Sequence, residues 1–424
     1  MAAADARTAP SAPDLSHRDL TLDLARVVCV LLVVVIHLLQ TGVGPGPDGG
    51  LIASRPLEQQ PWFAGATWVG QIMPLFFVVG GFAAVTGWRS WTRKGGDATG
   101  YVRSRTLRLA QPSLPLFVFF AIVLGAVALL GIAPQLVADA ARGAGSPLWF
   151  LAAYLICQAA TPAMIRLHAA APRRTLVALL AGVIVVDALR YSTGITDIGL
   201  VNLVFVWLLV HQFGFWYADG WFDRRHPLTL VAIAAVCFVA LWPLTALGPY
   251  QVNMLDNLNP PTLPLVVLGL AQACVLRLLK RPLTWLMALR AMQGIVFVVG
   301  SRLMTIYLWH LPVILLVTGL TLLVPGWAPV PASAAWWWSR LLVLAVVLVV
   351  LYGLSLVIAR WEAVGDLPPT PPAVIVAIGF VLAFAPPFAV MQWGLDVWLA
   401  IGGAVALGIA VPLLRRWPAR VVRG

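Results

Sequence analysis

Apolar runs about 20 residues long recur along nearly the whole chain, separated by short polar breaks. Runs of that length cross a bilayer when helical. The pattern predicts about twelve spans: residues 18–40, 64–88, 114–132, 148–166, 175–189, 200–218, 228–247, 262–279, 303–324, 336–358, 372–391 and 397–414. The fold class is all-α, a polytopic transmembrane helical bundle. Residues 42–61, rich in Gly and Pro, read as a loop. Residues 1–17, rich in Ala, Pro and Ser without an apolar core, read as a disordered tail. The apolar run 18–40 is too long for a cleaved signal and is expected to be retained. No internal repeat points to an inverted-repeat transporter.

Composition supports this reading: 61% of the 424 residues are hydrophobic and 10% are charged. The net charge of +12 raises a nucleic-acid partner only to lose it, because the cations cluster in alternate short loops. Basic groups follow spans two, four, six, eight and twelve, and weakly ten; Arg55, Arg142, Arg190 and Arg340 are the exceptions. Positive-inside topology then places both termini in the cytoplasm of a cell-membrane protein. Cys29, Cys157, Cys237 and Cys274 lie in apolar runs without metal or disulfide spacing. No metal constellation and no phosphate-loop or nucleophile-elbow motif is present.

The first span breaks its own pattern, carrying Asp23, Arg26 and His37. Ionisable groups at membrane depth are costly and so are functional candidates. Eleven residues separate Arg26 from His37, about 20° past three turns, so both lie on one face about 16 Å apart along the axis. In the predicted orientation Arg26 faces the cytoplasm and His37 lies in the outer half. Arg105 and Arg108 share a face if helical; with Arg26, and with Arg103 nearby, they suit phosphate binding. An imidazole suits general-base work near neutral pH. Each residue also has a plainer reading. His37 is a structural histidine, Arg26 snorkels and pairs with Asp23, and the three later arginines only set topology. His310 reads as lying nearer the cytoplasmic half. His211 and Gln212 read as interhelical bonding groups, Trp336 to Trp338 as an interfacial belt, and Glu362 as a solvated helix end or a partner for Arg360.

Residues 22–26, LDLAR, with His37 eleven positions after the arginine, resemble the opening signature of the membrane acyltransferase-3 family. Residues 74–82 (PLFFVVGGF), Arg105-Thr106-Leu107-Arg108 followed by Pro112, 148–151 (LWFL), 301–312 (SRLMTIYLWHLP) and 355–362 fit further segments in order. Two departures stand out: Gly80 replaces a usual serine, and Gln111 is inserted before Pro112. The resemblance implies a ten-span acyltransferase core over residues 18–365, with residues 366–424 adding two helices, in a stand-alone form. It implies transfer of an acyl group from cytoplasmic acyl-CoA, a donor substrate rather than a resident cofactor, to a hydroxyl of an extracytoplasmic glycan or glycolipid. By this reading His37 is the general base. Arg26, Arg103, Arg105 and Arg108 bind the donor, and Asp23, His310, Tyr307 and Trp149 support the site. The competing expectation is a flippase of lipid-linked saccharides that transfers no acyl group.

Overall fold

The computed structural model describes residues 19–45, 50–131, 134–324, 326–358 and 361–416; the expected tail lies outside them. The chain begins with α1 (Leu20–Gln40), capped by Asp19, whose carboxylate accepts the Thr21 N–H at 3.1 Å. The segment expected as a loop contains an antiparallel hairpin, β1 (Gly42–Pro45) with β2 (Leu51–Ser54), in register Gly42 to Ser54. Helices α2 (Phe63–Gly70) and α3 (Met73–Arg93) follow, so the expected second span is broken, with Gln71 and Ile72 in the break. Pro74 sits in the first turn of α3, where its missing N–H costs nothing.

Next come α4 (Ala98–Leu130), α5 (Pro134–Gly145), α6 (Leu148–Ala170), α7 (Pro172–Thr193), a 3-10 turn (Thr196–Val201), α8 (Asn202–Ala218) and α9 (Pro227–Ala246). The chain continues through α10 (Leu263–Leu278), α11 (Lys280–Met287), α12 (Arg290–Gly300), α13 (Leu303–Leu322) and α14 (Ala334–Ile358). It ends in α15 (Ala373–Trp393) and α16 (Val397–Arg415). Among the described residues, eleven helices are long and apolar enough to cross a membrane. The pair α10 and α11, bent by 56°, makes a twelfth when counted as one span. α4 is longer than its expected span because the arginine segment continues the same helix. Its 33 residues reach about 50 Å, beyond the roughly 30 Å hydrocarbon core.

The basic loop ends gather at one end of the bundle. Lys280 reaches Asp19 and Asp223, both at 3.6 Å, and Arg277 pairs with Asp223 at 2.7 Å. That joins the start of α1 to the ends of α8 and α10. Arg89, past the middle of α3, pairs with Asp219 at 2.6 Å, and Asp219 also meets His168 at the end of α6 at 3.0 Å. In the interior, α3 and α8 cross backbone to backbone. A Cβ on Gly81 would lie 2.0 Å from the His211 carbonyl oxygen, and one on Gly214 would lie 2.1 Å from that of Val78. Only glycine permits that approach.

The last two helices dock on α4 and α6. Gly403 of α16 admits the Phe117 ring of α4, since a Cβ there would be 2.2 Å from it. Arg103 is buried, and its Nε donates to the Leu414 carbonyl at 2.7 Å. Its Nη1 donates to those of Pro368 (2.7 Å) and Pro369 (3.2 Å). Arg415 answers from α16, donating to Gln111 Oε1 at 3.2 Å and to the Val364 carbonyl at 2.9 Å. The inserted Gln111 is thus a docking residue. A buried guanidinium fully used by carbonyls holds α4, α16 and the 363–369 linker together. Arg103→Gln should therefore destabilise the fold by about 2 kcal/mol or more. It should also open the linker to protease in detergent, read by a lower melting temperature and cleavage between residues 363 and 369.

Candidate active site

Two clusters of polar side chains sit on the helices the first span touches. The first is built on His37, in the last turn of α1, and His310, in the middle of α13. Their rings meet edge to face at a centroid distance of 5.0 Å. His310 is fully buried. Its Nδ1 lies 2.6 Å from the Tyr307 carbonyl oxygen, one turn back. A carbonyl only accepts, so Nδ1 carries the proton and Nε2 of the neutral ring is the acceptor. That Nε2 is buried and has no partner among the described residues. His310 was expected nearer the cytoplasmic half than His37; the ring contact puts both at one depth. The expectation measured depth from the start of each apolar run. α13 begins farther into the bundle than α1, so seven residues carry His310 as far as seventeen carry His37.

His37 opens onto a small cavity of about 60 Å³, shared with Gln71, Trp149, Pro147 and Tyr307 and walled by Val33, Ile36, Leu255 and Leu258. Among the described residues no side chain hydrogen-bonds the His37 ring; its neighbour is the edge of His310. Tyr307 is fixed by donating its hydroxyl to the Pro147 carbonyl. Trp149 stacks on Trp207 at 5.5 Å, and Trp207 stacks on Phe77 at 4.2 Å. Trp149 and Tyr307, expected to support the site, both line its wall.

The second cluster lies toward the basic end. Arg26, half-buried, has a buried Nε without a partner among the described residues, and Asp23 lies half-buried one turn earlier. The Arg105 guanidinium sits over the Tyr101 ring at 4.8 Å. It lies close to α3 at Gly87, where a Cβ would be 2.4 Å from its Nη2. Arg108 is exposed yet deeply surrounded by protein, as a side chain pointing into an open hollow would be. It lies within the electrostatic reach of Arg26, Arg105, Tyr154 and Glu362. Arg26, Arg105 and Arg108 are therefore one group. Arg103 stands apart in the docking contact with α16. On a helix it lies about 160° from Arg105 and about 140° from Arg108, and so faces away from them.

Glu362 is not a solvated end. It accepts from the Thr305 N–H at 2.7 Å and from the Thr305 hydroxyl, tying the chain four residues past α14 to the first turn of α13. Burial pushes its carboxyl above the usual range, against the opposing pull of Thr305, Arg108 and Arg302. Its other expected partner, Arg360, lies outside the described residues. Of the two expected interhelical bonding groups, Gln212 makes its bond, its Oε1 lying 2.9 Å from His168 Nδ1, but His211 does not, its buried Nε2 having no partner among the described residues. Of the expected tryptophan belt, Trp338 is exposed but Trp336 is buried beneath the Arg340 guanidinium at 4.6 Å.

Two residues of this site were missed from sequence. Gln71 is the one amide in the run 64–88, and with Pro74 three residues later it marks the helix break. Tyr154 is the other. Its ring fills the space beside Gly80, where a Cβ would fall 2.9 Å from Tyr154 Cε2.

The acyltransferase domain model of the acyltransferase-3 family matches residues 19–360, which takes in the whole of α1 to α14. The chain belongs to the acyltransferase-3 family. No curated protein and no solved structure matches it. Both polar clusters of this membrane acyltransferase fall inside the matched region except for Glu362. The docked pair α15 and α16 lies beyond it. Glycine at position 80 is required by Tyr154, so Gly80→Ser should cost about 1–3 kcal/mol of stability by overpacking. Tyr154→Ala in the same chain should recover much of that loss, a coupling visible in a double-mutant cycle of melting temperatures.

Proposed function

We propose that this acyltransferase moves an acyl group from cytoplasmic acyl-CoA to a hydroxyl of an extracytoplasmic glycan or glycolipid. The observation that carries the reading is the line along α1. Arg26 stands in the field of Arg105 and Arg108 at the basic end, and His37, on the same face, opens onto a cavity at the other. The alternation of basic loops supports a cytoplasmic basic end and cytoplasmic termini in the cell membrane.

In this reading Arg26, Arg105 and Arg108 take the nucleotide phosphates of the donor, for which planar guanidinium groups are suited. The pantetheine arm runs along α1 and delivers the thioester to the cavity. His37 removes the proton of the acceptor hydroxyl as its oxygen attacks the thioester carbonyl carbon. The C–S bond breaks, and the leaving thiolate takes the proton back from His37. His310, Tyr307 and Trp149 shape the cavity around the reacting atoms. Arg103 serves this reaction only through the docking of α16.

His37→Ala should abolish transfer while the protein still inserts and melts as the wild type does. Mass spectrometry of surface glycans and glycolipids from cells with and without each form reads the outcome. A missing acyl mass in the variant supports the proposal, and an unchanged acyl pattern sinks it. Saccharide flux with no acyl product would instead favour a flippase. Arg105→Gln or Arg108→Gln should raise KM for acyl-CoA about tenfold, the loss of one charged hydrogen bond. kcat should change little, and steady-state kinetics separate the two effects.

A further inference from the structure

We infer that Gln71 is the oxyanion donor of the site: its side-chain amide meets the thioester carbonyl oxygen as negative charge develops there. The inference rests on the reading of His37 as general base and adds the group that complements it.

The argument starts from where Gln71 stands. It occupies the break between α2 and α3 and is 3% exposed. Both ends of the residue are held. Its Oε1 accepts the Met73 N–H at 3.1 Å, and its backbone carbonyl accepts from Gln272 Nε2 of α10 at 2.7 Å. The bond to Met73 settles which end of the amide is oxygen, so Nε2 occupies the other position. That Nε2 is buried and has no partner among the described residues. A buried N–H donor without an acceptor costs about 1–3 kcal/mol. Other buried groups in the described residues also lack partners, but of the residues lining the His37 cavity Gln71 is the one that carries such a group. Gln71 lines the same cavity of about 60 Å³ as His37. The one hydroxyl among the residues lining that cavity is taken, because Tyr307 already donates to the Pro147 carbonyl.

A rigid donor left unpartnered on a residue that shares the general base's cavity is what acyl transfer needs. When the acceptor oxygen adds to the carbonyl carbon, His37 takes its proton and the C=O π pair moves onto the carbonyl oxygen. The Gln71 N–H stabilises that oxyanion in a water-poor cavity, where preorganised donors are most effective. The pair then returns, the C–S bond breaks, and the CoA thiolate collects the proton from His37. The amide is neither consumed nor charged in the cycle. The helix break suits this task, since a residue outside a regular helix can turn its side chain along the cavity wall while neighbouring backbone groups hold it.

The test uses the full-length protein in detergent and a ketone analogue of acetyl-CoA, with a CH2 group in place of sulfur and a 13C carbonyl. Difference infrared spectroscopy reads the carbonyl stretch. It should lie at lower frequency when bound to wild type than when bound to Gln71→Met, with equal affinity. Gln71→Glu keeps an acceptor for the Met73 N–H and, at a pH high enough to ionise its carboxyl, has no donor left, so under that condition it should resemble Gln71→Met if that variant folds poorly. Hydrolytic release of CoA thiol from acetyl-CoA, with water standing in for the acceptor hydroxyl and acetate as the other product, should fall about 10²- to 10³-fold in kcat with KM unchanged. Equal carbonyl frequencies and equal kcat in wild type and both variants would overturn the assignment. If the analogue fails to bind wild type, or His37→Ala keeps full activity, the underlying donor or base reading fails instead.

Discussion

A hydrocarbon slab offers no hydrogen-bond partners, so every polar group among the spans has to find one inside the protein or do without. Most of this chain obeys by being helical and apolar. Where it does not, the partners explain the architecture. Arg103 can be buried because four backbone carbonyls accept from its guanidinium. Asp187 of α7 is held by Asn202, Tyr250 and the Leu263 N–H. His168 is held between Gln212 and Asp219. Buried groups without a partner among the described residues are spread through the bundle, Asn202 Oδ1, His211 Nε2 and Trp336 Nε1 among them. Three of them belong to the arginine group and to the histidine pair with its cavity: Arg26 Nε, His310 Nε2 and Gln71 Nε2.

Those groups are sorted by charge along the first helix. Guanidinium groups cluster at the basic end, where water can solvate them and anions can approach. The imidazoles and an amide sit at the far end, where a fixed charge would be expensive. A substrate with an anionic head and a neutral reactive tail matches that order. The order also explains the cross-links at the basic end: Asp19, Asp219 and Asp223 each bind a cation, so helix ends are fixed while Arg105 and Arg108 stay available. Glu362 joins this arrangement by tying α13 to the strand of chain that leaves α14. It thereby sets the start of the helix that carries His310.

Much of this was legible in the sequence, for reasons that can be named. Apolar run length marks spans because the bilayer has one thickness, and the runs matched helices at eleven places plus one bent pair. The face shared by Arg26 and His37 follows from helix periodicity alone. Periodicity also separates Arg103 from Arg105 and Arg108, a distinction that counting basic residues overlooked. His310 was misplaced because sequence shows how far a residue lies from the start of its helix but not how deep that start lies. The break at Gln71 had a local sign in Pro74, yet the uninterrupted apolar run hid it. The contacts of Glu362 with Thr305, of Tyr154 with Gly80 and of Gln111 with Arg415 join residues distant in the chain, so no local pattern carries them.

The two last helices make the same point from outside the family core. The matched region ends before α15, yet α4 within it is gripped on its outer face by α16. Arg103 reaches α16, Arg415 reaches back to Gln111, and Phe117 enters the gap at Gly403. The grip acts on one side of α4 while Arg105 and Arg108 project from the other. A helix as long as α4, with Pro112 and Pro115 inside it, is free to bend just where the arginine segment meets the apolar one. Contacts at Arg103 below those prolines and at Phe117 above them hold both arms against α16. The added pair thereby braces α4 on both sides of its prolines, on the face opposite Arg105 and Arg108.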